Sequence, residues 1–195
     1  MRIGIYAGSF DPVHTGHLGF AIAAIKIARL DRVLLLPERM PRGKQGLTHY
    51  AHRLAMLRLA AVPHPALDVL ELPDRQFSVA KTLPRLTDRF QAEQLLLLLG
   101  SDAIYGLPNW PHVDRLLNKF GLIVAMRSSD RRFTIQEQLD SLQPQPPETH
   151  LITSPHPAVS SRVIREALAR DGAADGLLPS VKDYSRKQWL YKHIE

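Results

Sequence analysis

The sequence predicts an α/β chain built on a doubly wound parallel sheet with C-terminal helices, and two patterns carry that prediction. Short β-rich apolar runs recur at 2–7, 32–36, 67–72, 95–100, 122–126 and 150–153. They are nearly continuously apolar, as strands covered on both faces are, rather than alternating as in a half-exposed sheet. Between them stand stretches with apolar residues three or four apart, the spacing of one helix face. A strand followed by a helix returns to its sheet through a crossover, so strands in this rhythm run parallel.

In chain order, residues 2–7 form the first strand and lead through a turn into a helix at 18–30. The second strand, 32–36, precedes a helix at 50–61, and the third, 67–72, precedes one at 79–90. The fourth strand, 95–100, is a run of leucines ending at Gly100; a helix at 111–119 separates it from the fifth, 122–126. A helix at 135–142 leads to the sixth strand, 150–153. Two closing helices are expected at 161–170 and 180–190, with Asp171-Gly172 as the stop between them. Residues 128–133 and 143–148 read as surface loops. In such a sheet ligands bind beyond the carboxyl ends of the strands, near the point where strand order reverses, so the residues just after strands hold the interest.

Composition narrows the chemistry. The 195 residues are 45% hydrophobic and 23% charged, an ordinary globular balance, and their number suits one domain. No cysteine is present, which excludes disulfide frameworks, thiolate metal sites, iron–sulfur clusters and cysteine nucleophiles. The first strand runs straight to Asp11 with no signal-peptide core, and the longest uncharged apolar-rich stretch, 18–25, ends at Lys26, well short of the ~20 residues a span needs. A cytoplasmic chain with no membrane partner is expected. The 25 Lys and Arg against 19 Asp and Glu leave a net charge of +6, which suits nucleic acid, an anionic surface or phosphate-bearing small substrates. The basic residues are scattered and no aromatic platform interleaves them, which weighs against nucleic acid.

The first strand ends in Gly8-Ser9-Phe10-Asp11-Pro12-Val13-His14-Thr15-Gly16-His17. Neither a G-x-G-x-x-G dinucleotide fingerprint nor a P-loop occurs. Gly8 lets a phosphate or ribose approach the backbone, and Thr15 or Asp11 is placed to cap the helix, whose free N–H groups attract an anion. His14 and His17, three apart, share one face of the first turn. Two imidazoles there make a phosphate clamp, each donating a hydrogen bond and carrying charge when protonated. Plainer readings are a capping or core histidine, or a two-ligand metal corner, for which no third ligand stands nearby.

A second anion site is encoded late, in Val159-Ser160-Ser161-Arg162-Val163-Ile164-Arg165. Ser160 and Ser161 suit a helix N-cap with hydroxyls and amides aimed at an anion, and Arg165 lies one turn on, where it can fork onto phosphate oxygens. A capped helix with a surface arginine is the plainer alternative.

The first of these segments resembles the G-[ST]-F-D-P-x-H-x-G-H signature of the HxGH-motif nucleotidyltransferases, and the second their I-S-S-T-x-I-R element, with Arg162 where threonine is usual. Gly100-Ser101-Asp102 followed by Trp110 resembles the G-x-D…W block of the bacterial nicotinate-mononucleotide adenylyltransferase family. The likeness spans nearly the whole chain and implies a Rossmann-like fold in which residues 1–195 form one nucleotidyltransferase domain. It implies transfer of AMP from ATP to nicotinate mononucleotide, giving deamido-NAD and pyrophosphate, with Mg²⁺ carried on the ATP phosphates. His14 and His17 would be the catalytic pair. Gly8, Ser9, Phe10, Gly100, Asp102, Ser160, Ser161 and Arg165 would hold ATP, and Lys44, Thr82, Trp110 and Arg127 the mononucleotide.

Two departures fall on the acceptor side: Gly43 stands where the family often has histidine, and Phe77-Ser78-Val79 where it often has Ser-Tyr-Thr. Nicotinamide mononucleotide or another phosphorylated acceptor therefore stays open, as does a non-catalytic nucleotide- or nucleic-acid-binding role. Monomer and homo-oligomer are equally compatible with the sequence.

Overall fold

The computed structural model describes residues 1–91, 94–127 and 130–192. Its elements are β1 (Arg2–Gly8), α1 (Thr15–Ile27), β2 (Arg32–Pro37), α2 (Tyr50–Ala61), β3 (Leu67–Val69), α3 (Thr82–Phe90), β4 (Gln94–Gly100), α4 (Ser101–Gly106), α5 (Val113–Lys119), β5 (Phe120–Met126), α6 (Arg132–Asp140), β6 (Thr149–Thr153), α7 (Ser161–Asp171) and α8 (Pro179–Lys187). The six strands form one parallel sheet in the order β3-β2-β1-β4-β5-β6, the doubly wound, Rossmann-like arrangement expected from the sequence.

The continuous apolar runs are explained by two hydrophobic layers. Ile3, Ile5, Leu95, Leu97, Leu122 and Val124 point to one face and pack with Leu83 and Leu86 of α3, Leu116 of α5 and Ile135 of α6. Val33, Leu35, Leu96, Leu98 and Ile123 point to the other, against Phe20, Ala21 and Ala24 of α1, Met56 and Leu57 of α2 and Val181 of α8. Neighbouring residues on one strand thus serve opposite cores, because side chains alternate across a pleated strand.

Departures from the sequence reading have local causes. β3 stops at Val69, not at residue 72: it is an edge strand whose ladder to β2 ends with Leu70 N–H donating to the Leu35 carbonyl, before Pro73, which has no N–H. α1 begins at Thr15, three residues ahead of the apolar pattern, because its first turn is held by histidine side chains. α4 was not foreseen; its six residues are too few to display a period. α6 starts at Arg132, so the end of the expected loop 128–133 is helical, while Ser128 and Ser129 lie outside the described residues. α8 ends at Lys187, and Trp189 adopts a positive φ of 54° that no helix continues through. No helix among the described residues is long and apolar enough to cross a membrane.

Candidate active site

The strand order reverses between β1 and β4, which run parallel, and their carboxyl ends open a crevice there. The turn after β1 is built as a rigid floor for it. Phe10, at φ 47°, is fully buried and meets Tyr6 edge-on at 5.4 Å and His17 at 5.0 Å between ring centroids. The Asp11 carboxylate, 1% exposed, accepts from the Tyr191 hydroxyl at 2.7 Å and from Thr48 N–H at 3.1 Å.

A buried arginine ties this turn to its neighbours. Arg53 of α2 donates to the backbone carbonyls of Ser9 (2.6 Å), Glu38 (2.8 Å), Arg39 (3.1 Å) and Thr48 (2.9 Å). One guanidinium thereby fixes the turns after β1 and β2 and the approach to α2. The run Arg53-Leu54-Ala55-Met56-Leu57 shares in the family likeness, but the signal for its burial was an arginine set among Leu54, Met56 and Leu57, all of them buried.

The histidines, and not Thr15 or Asp11, cap α1, which is the plainer of the readings for them. Gly16 N–H donates to His14 Nδ1 at 3.1 Å, and His14 N–H donates to His17 Nδ1 at 3.3 Å, a reciprocal box. Asp11 is instead engaged by Tyr191 and Thr48, and the buried Thr15 hydroxyl has no hydrogen-bond partner among the described residues. A ring nitrogen that accepts from a backbone N–H carries no proton, so each neutral imidazole bears its hydrogen on Nε2. Burial lowers the His14 pKa from 6.5 to about 4, with His156 adding to the effect. Burial, followed by His14 and then Lys44, drives His17 well below 6.5. The pair, 3.7 Å between ring centroids, is therefore neutral near pH 7, and its members act as N–H donors rather than as cations.

Charge comes from other side chains. Lys44 Nζ donates to Ser9 Oγ at 2.8 Å, and Arg127 at the end of β5 pairs with Asp102 of α4 at 3.1 Å. A Cβ on Gly100 would stand 2.6 Å from Asp102 Oδ1, so glycine is what lets this carboxylate lie back over the end of β4. At α7, Ser160 accepts from Val163 N–H at 3.3 Å as N-cap, as the sequence suggested. Ser161 Oγ donates to the Pro12 carbonyl at 2.9 Å, and Arg165 donates to the Asp11 carbonyl at 2.6 Å. These two bonds fasten the late helix to the first turn.

Two cavities meet over this floor. One, about 440 Å³, is lined by Gly8, Glu38, Arg42, Phe77, Asp102 and Trp110 among others. The second, about 590 Å³, is lined by His14, His156, Ser160, Ser161, Arg162 and Arg165. Tyr6, Ser9, His17, Lys44, Gly100 and Arg127 belong to both, so they mark the junction. Two expected site residues lie elsewhere. Phe10 is behind the floor, against His17. Thr82 is fully buried at the start of α3, where its hydroxyl accepts from Ser78 N–H at 3.0 Å and donates to Asp74 at 3.3 Å beside a minor crevice. The hydroxyl is needed to close the loop before α3 and faces neither main cavity.

A parallel sheet in this order, with a histidine-capped first turn facing a serine-capped late helix across joined cavities, defines a nucleotidyltransferase. The chain belongs to the cytidylyltransferase-like family, whose model matches residues 5–167. It is 33% identical over 200 residues to the nicotinate-nucleotide adenylyltransferase of Bacillus subtilis, covering 98% of each chain. It is 34% identical over 193 residues to a probable nicotinate-nucleotide adenylyltransferase of Bordetella parapertussis, again covering 98% of each. Its fold matches the Plasmodium falciparum nicotinic acid mononucleotide adenylyltransferase complexed with NaAD, with a TM-score of 0.80 at 20% identity, over 100% of this chain and 99% of that one.

Proposed function

We propose that the chain transfers the AMP moiety of ATP to nicotinate mononucleotide, releasing pyrophosphate and forming the deamido form of NAD. The observation that carries this reading is the junction of the two cavities at Ser9, His17, Lys44 and Arg127. ATP lies in the larger cavity, with its β and γ phosphates toward Ser160, Ser161 and Arg165 and its ribose at the junction, over Gly100 and beside Asp102 just within the smaller cavity. The mononucleotide occupies the smaller, with its pyridine ring toward Trp110 and its phosphate at the junction. Relatives sharing about a third of their residues bear the name of this activity.

The chemistry asks little of the protein beyond placement. The mononucleotide phosphate is already a nucleophile at neutral pH, so one of its oxygens attacks the α-phosphorus of ATP and pyrophosphate leaves in line, without a general base or a covalent intermediate. Charge gathers on the α-phosphoryl and bridging oxygens. Nε2–H of His14 and His17 donates to those oxygens, while Lys44 and Arg127 supply positive charge beside them. Neutral donors that titrate far below pH 7 keep this geometry across the physiological range. Mg²⁺ enters with the ATP phosphates as part of the substrate; among the described residues no group of three or more His, Asp or Glu stands together to hold it. Residues 1–195 act in this reading as one catalytic domain, in the cytoplasm.

A pyrophosphate-release assay with ATP and nicotinate mononucleotide, nicotinamide mononucleotide or phosphopantetheine tests it. Turnover with a pyridine mononucleotide is expected. Turnover with phosphopantetheine alone overturns the assignment.

A further inference from the structure

Glu38 is the acidic residue of the smaller cavity that no part of the proposed reaction uses. It follows β2 directly, and its carboxylate accepts from Phe77 N–H at 2.8 Å through Oε1. Among the described residues it makes no ion pair, and its second oxygen accepts no hydrogen bond. The nearby Arg53 guanidinium is occupied by backbone carbonyls, one of them that of Glu38 itself. The other acid of the cavity, Asp102, is compensated by Arg127 at 3.1 Å. Lys44 stands at the junction end, on Ser9.

The cavity is polarised as a result. Its junction end carries Lys44, Arg127 and His17, and suits the phosphate of the acceptor. Its far end carries Trp110 and Phe77, with ring centroids 6.2 Å apart, together with Glu38, and suits the heterocycle. We infer that Glu38 sets how sharply this pocket separates a pyridine bearing a carboxylate from one bearing a carboxamide, and that it admits the carboxamide. The inference rests on the functional reading above and deepens it. A nicotinate carboxylate brought beside Glu38 meets a like charge at low effective dielectric, whereas a carboxamide N–H₂ donates to the free carboxylate oxygen. Arg42, which also lines this cavity, draws the carboxylate form, so the balance between the two acceptors depends on both residues.

Glu38 also holds the loop before α3, and the test separates that role from its charge. Glutamine keeps an acceptor oxygen for Phe77 N–H but removes the negative charge; alanine removes both. Steady-state kinetics with ATP and each pyridine mononucleotide give kcat/KM for the two acceptors. The unsubstituted chain is expected to use both. In Glu38→Gln the ratio of nicotinate to nicotinamide mononucleotide should rise by roughly tenfold, the order of one removed charge contact. An unchanged ratio in Glu38→Gln, with Glu38→Ala lowering both acceptors in parallel, means that Glu38 only positions Phe77 and overturns the inference while leaving the reaction intact. A chain that adenylylates neither mononucleotide overturns the functional reading, and the inference with it.

Discussion

Arg53 Nη1 donates to the carbonyl oxygen of Ser9 at 2.6 Å, from a side chain only 1% exposed. A buried cation without a carboxylate partner in contact is costly, and here four backbone carbonyls from three chain segments solvate it instead. The floor of the site is consequently anchored by a residue of α2.

Replacing Arg53 with methionine leaves those carbonyls, the Ser9 one buried and the others partly so, without their donor. Each unsatisfied group costs about 1–3 kcal/mol, and water can re-enter for only some of them, so a loss of about 3 kcal/mol is expected. Urea unfolding of Arg53→Met measures it. A loss below ~1 kcal/mol would mean that the turns after β1 and β2 hold themselves.

His17→Ala removes a preorganised N–H donor from the junction of the cavities. The expected outcome is a fall in kcat of roughly 10²–10³, with circular dichroism and melting behaviour close to those of the unsubstituted chain. Near-normal turnover in a folded variant would remove His17 from the reaction. The same variant also loses the acceptor for His14 N–H, so a small drop in stability should accompany the kinetic effect.

Depressed histidine pKa values make stability pH-dependent in a defined direction. The unfolded chain protonates these imidazoles near 6.5, whereas folded His14 does so only at about 4 and folded His17 well below 6.5. Between those limits the unfolded state binds more protons, so stability falls as pH drops from about 6.5 toward 4 and is fully present above that window. His14 alone corresponds to about 3 kcal/mol across it. Denaturant midpoints taken from pH 7.5 down to 4.5 should decline, and the decline should be shallower in His14→Ala. A flat profile would show that the imidazoles are not desolvated as the fold suggests.

At Gly100 the space for a side chain is already taken, since an added Cβ would lie 2.6 Å from Asp102 Oδ1. Gly100→Ala should push Asp102 off its place opposite Arg127 and raise the KM for ATP by roughly tenfold, while kcat changes less. An equal fall in kcat at unchanged KM would contradict a ground-state contact to ATP at this position.

The sheet was readable in advance because β1, β2, β4 and β5 are continuous apolar runs, and only burial on both faces selects for that. The exact strand order was not legible, since it depends on which crossovers pass to which edge. The two anion-facing segments were visible as residue types at fixed spacing, but the use of their polar atoms was not. Ser161 and Arg165 spend hydrogen bonds on the carbonyls of Pro12 and Asp11, about 150 positions away in the chain, and such partners leave no local trace. Arg53 was hidden for the same reason. Thr82 lines neither main cavity because it sits at a helix start, where a hydroxyl serves the loop as readily as a ligand.

The C-terminal segment reaches back to the first turn at Tyr191, whose hydroxyl donates to Asp11 Oδ1 at 2.7 Å. Asp11 is almost wholly buried, and its own backbone carbonyl receives Arg165, so the carboxylate, the late helix and the chain terminus share one anchor. Burial, together with the Asp11 charge and hydrogen bond, pushes the phenol pKa far above its ordinary value, so the hydroxyl stays a donor throughout the working pH range. Tyr191→Phe keeps the ring and deletes only that donor. A hydrogen bond to a buried charge contributes about 1.5–3 kcal/mol, and a loss in that range is expected in urea unfolding. Because the loosened carboxylate also loosens the turn that seats His14, kcat should fall severalfold while KM for ATP is little changed. Removing Tyr191 and the residues after it should reproduce the effect; full activity in that truncation would show that the first turn is held without the terminus.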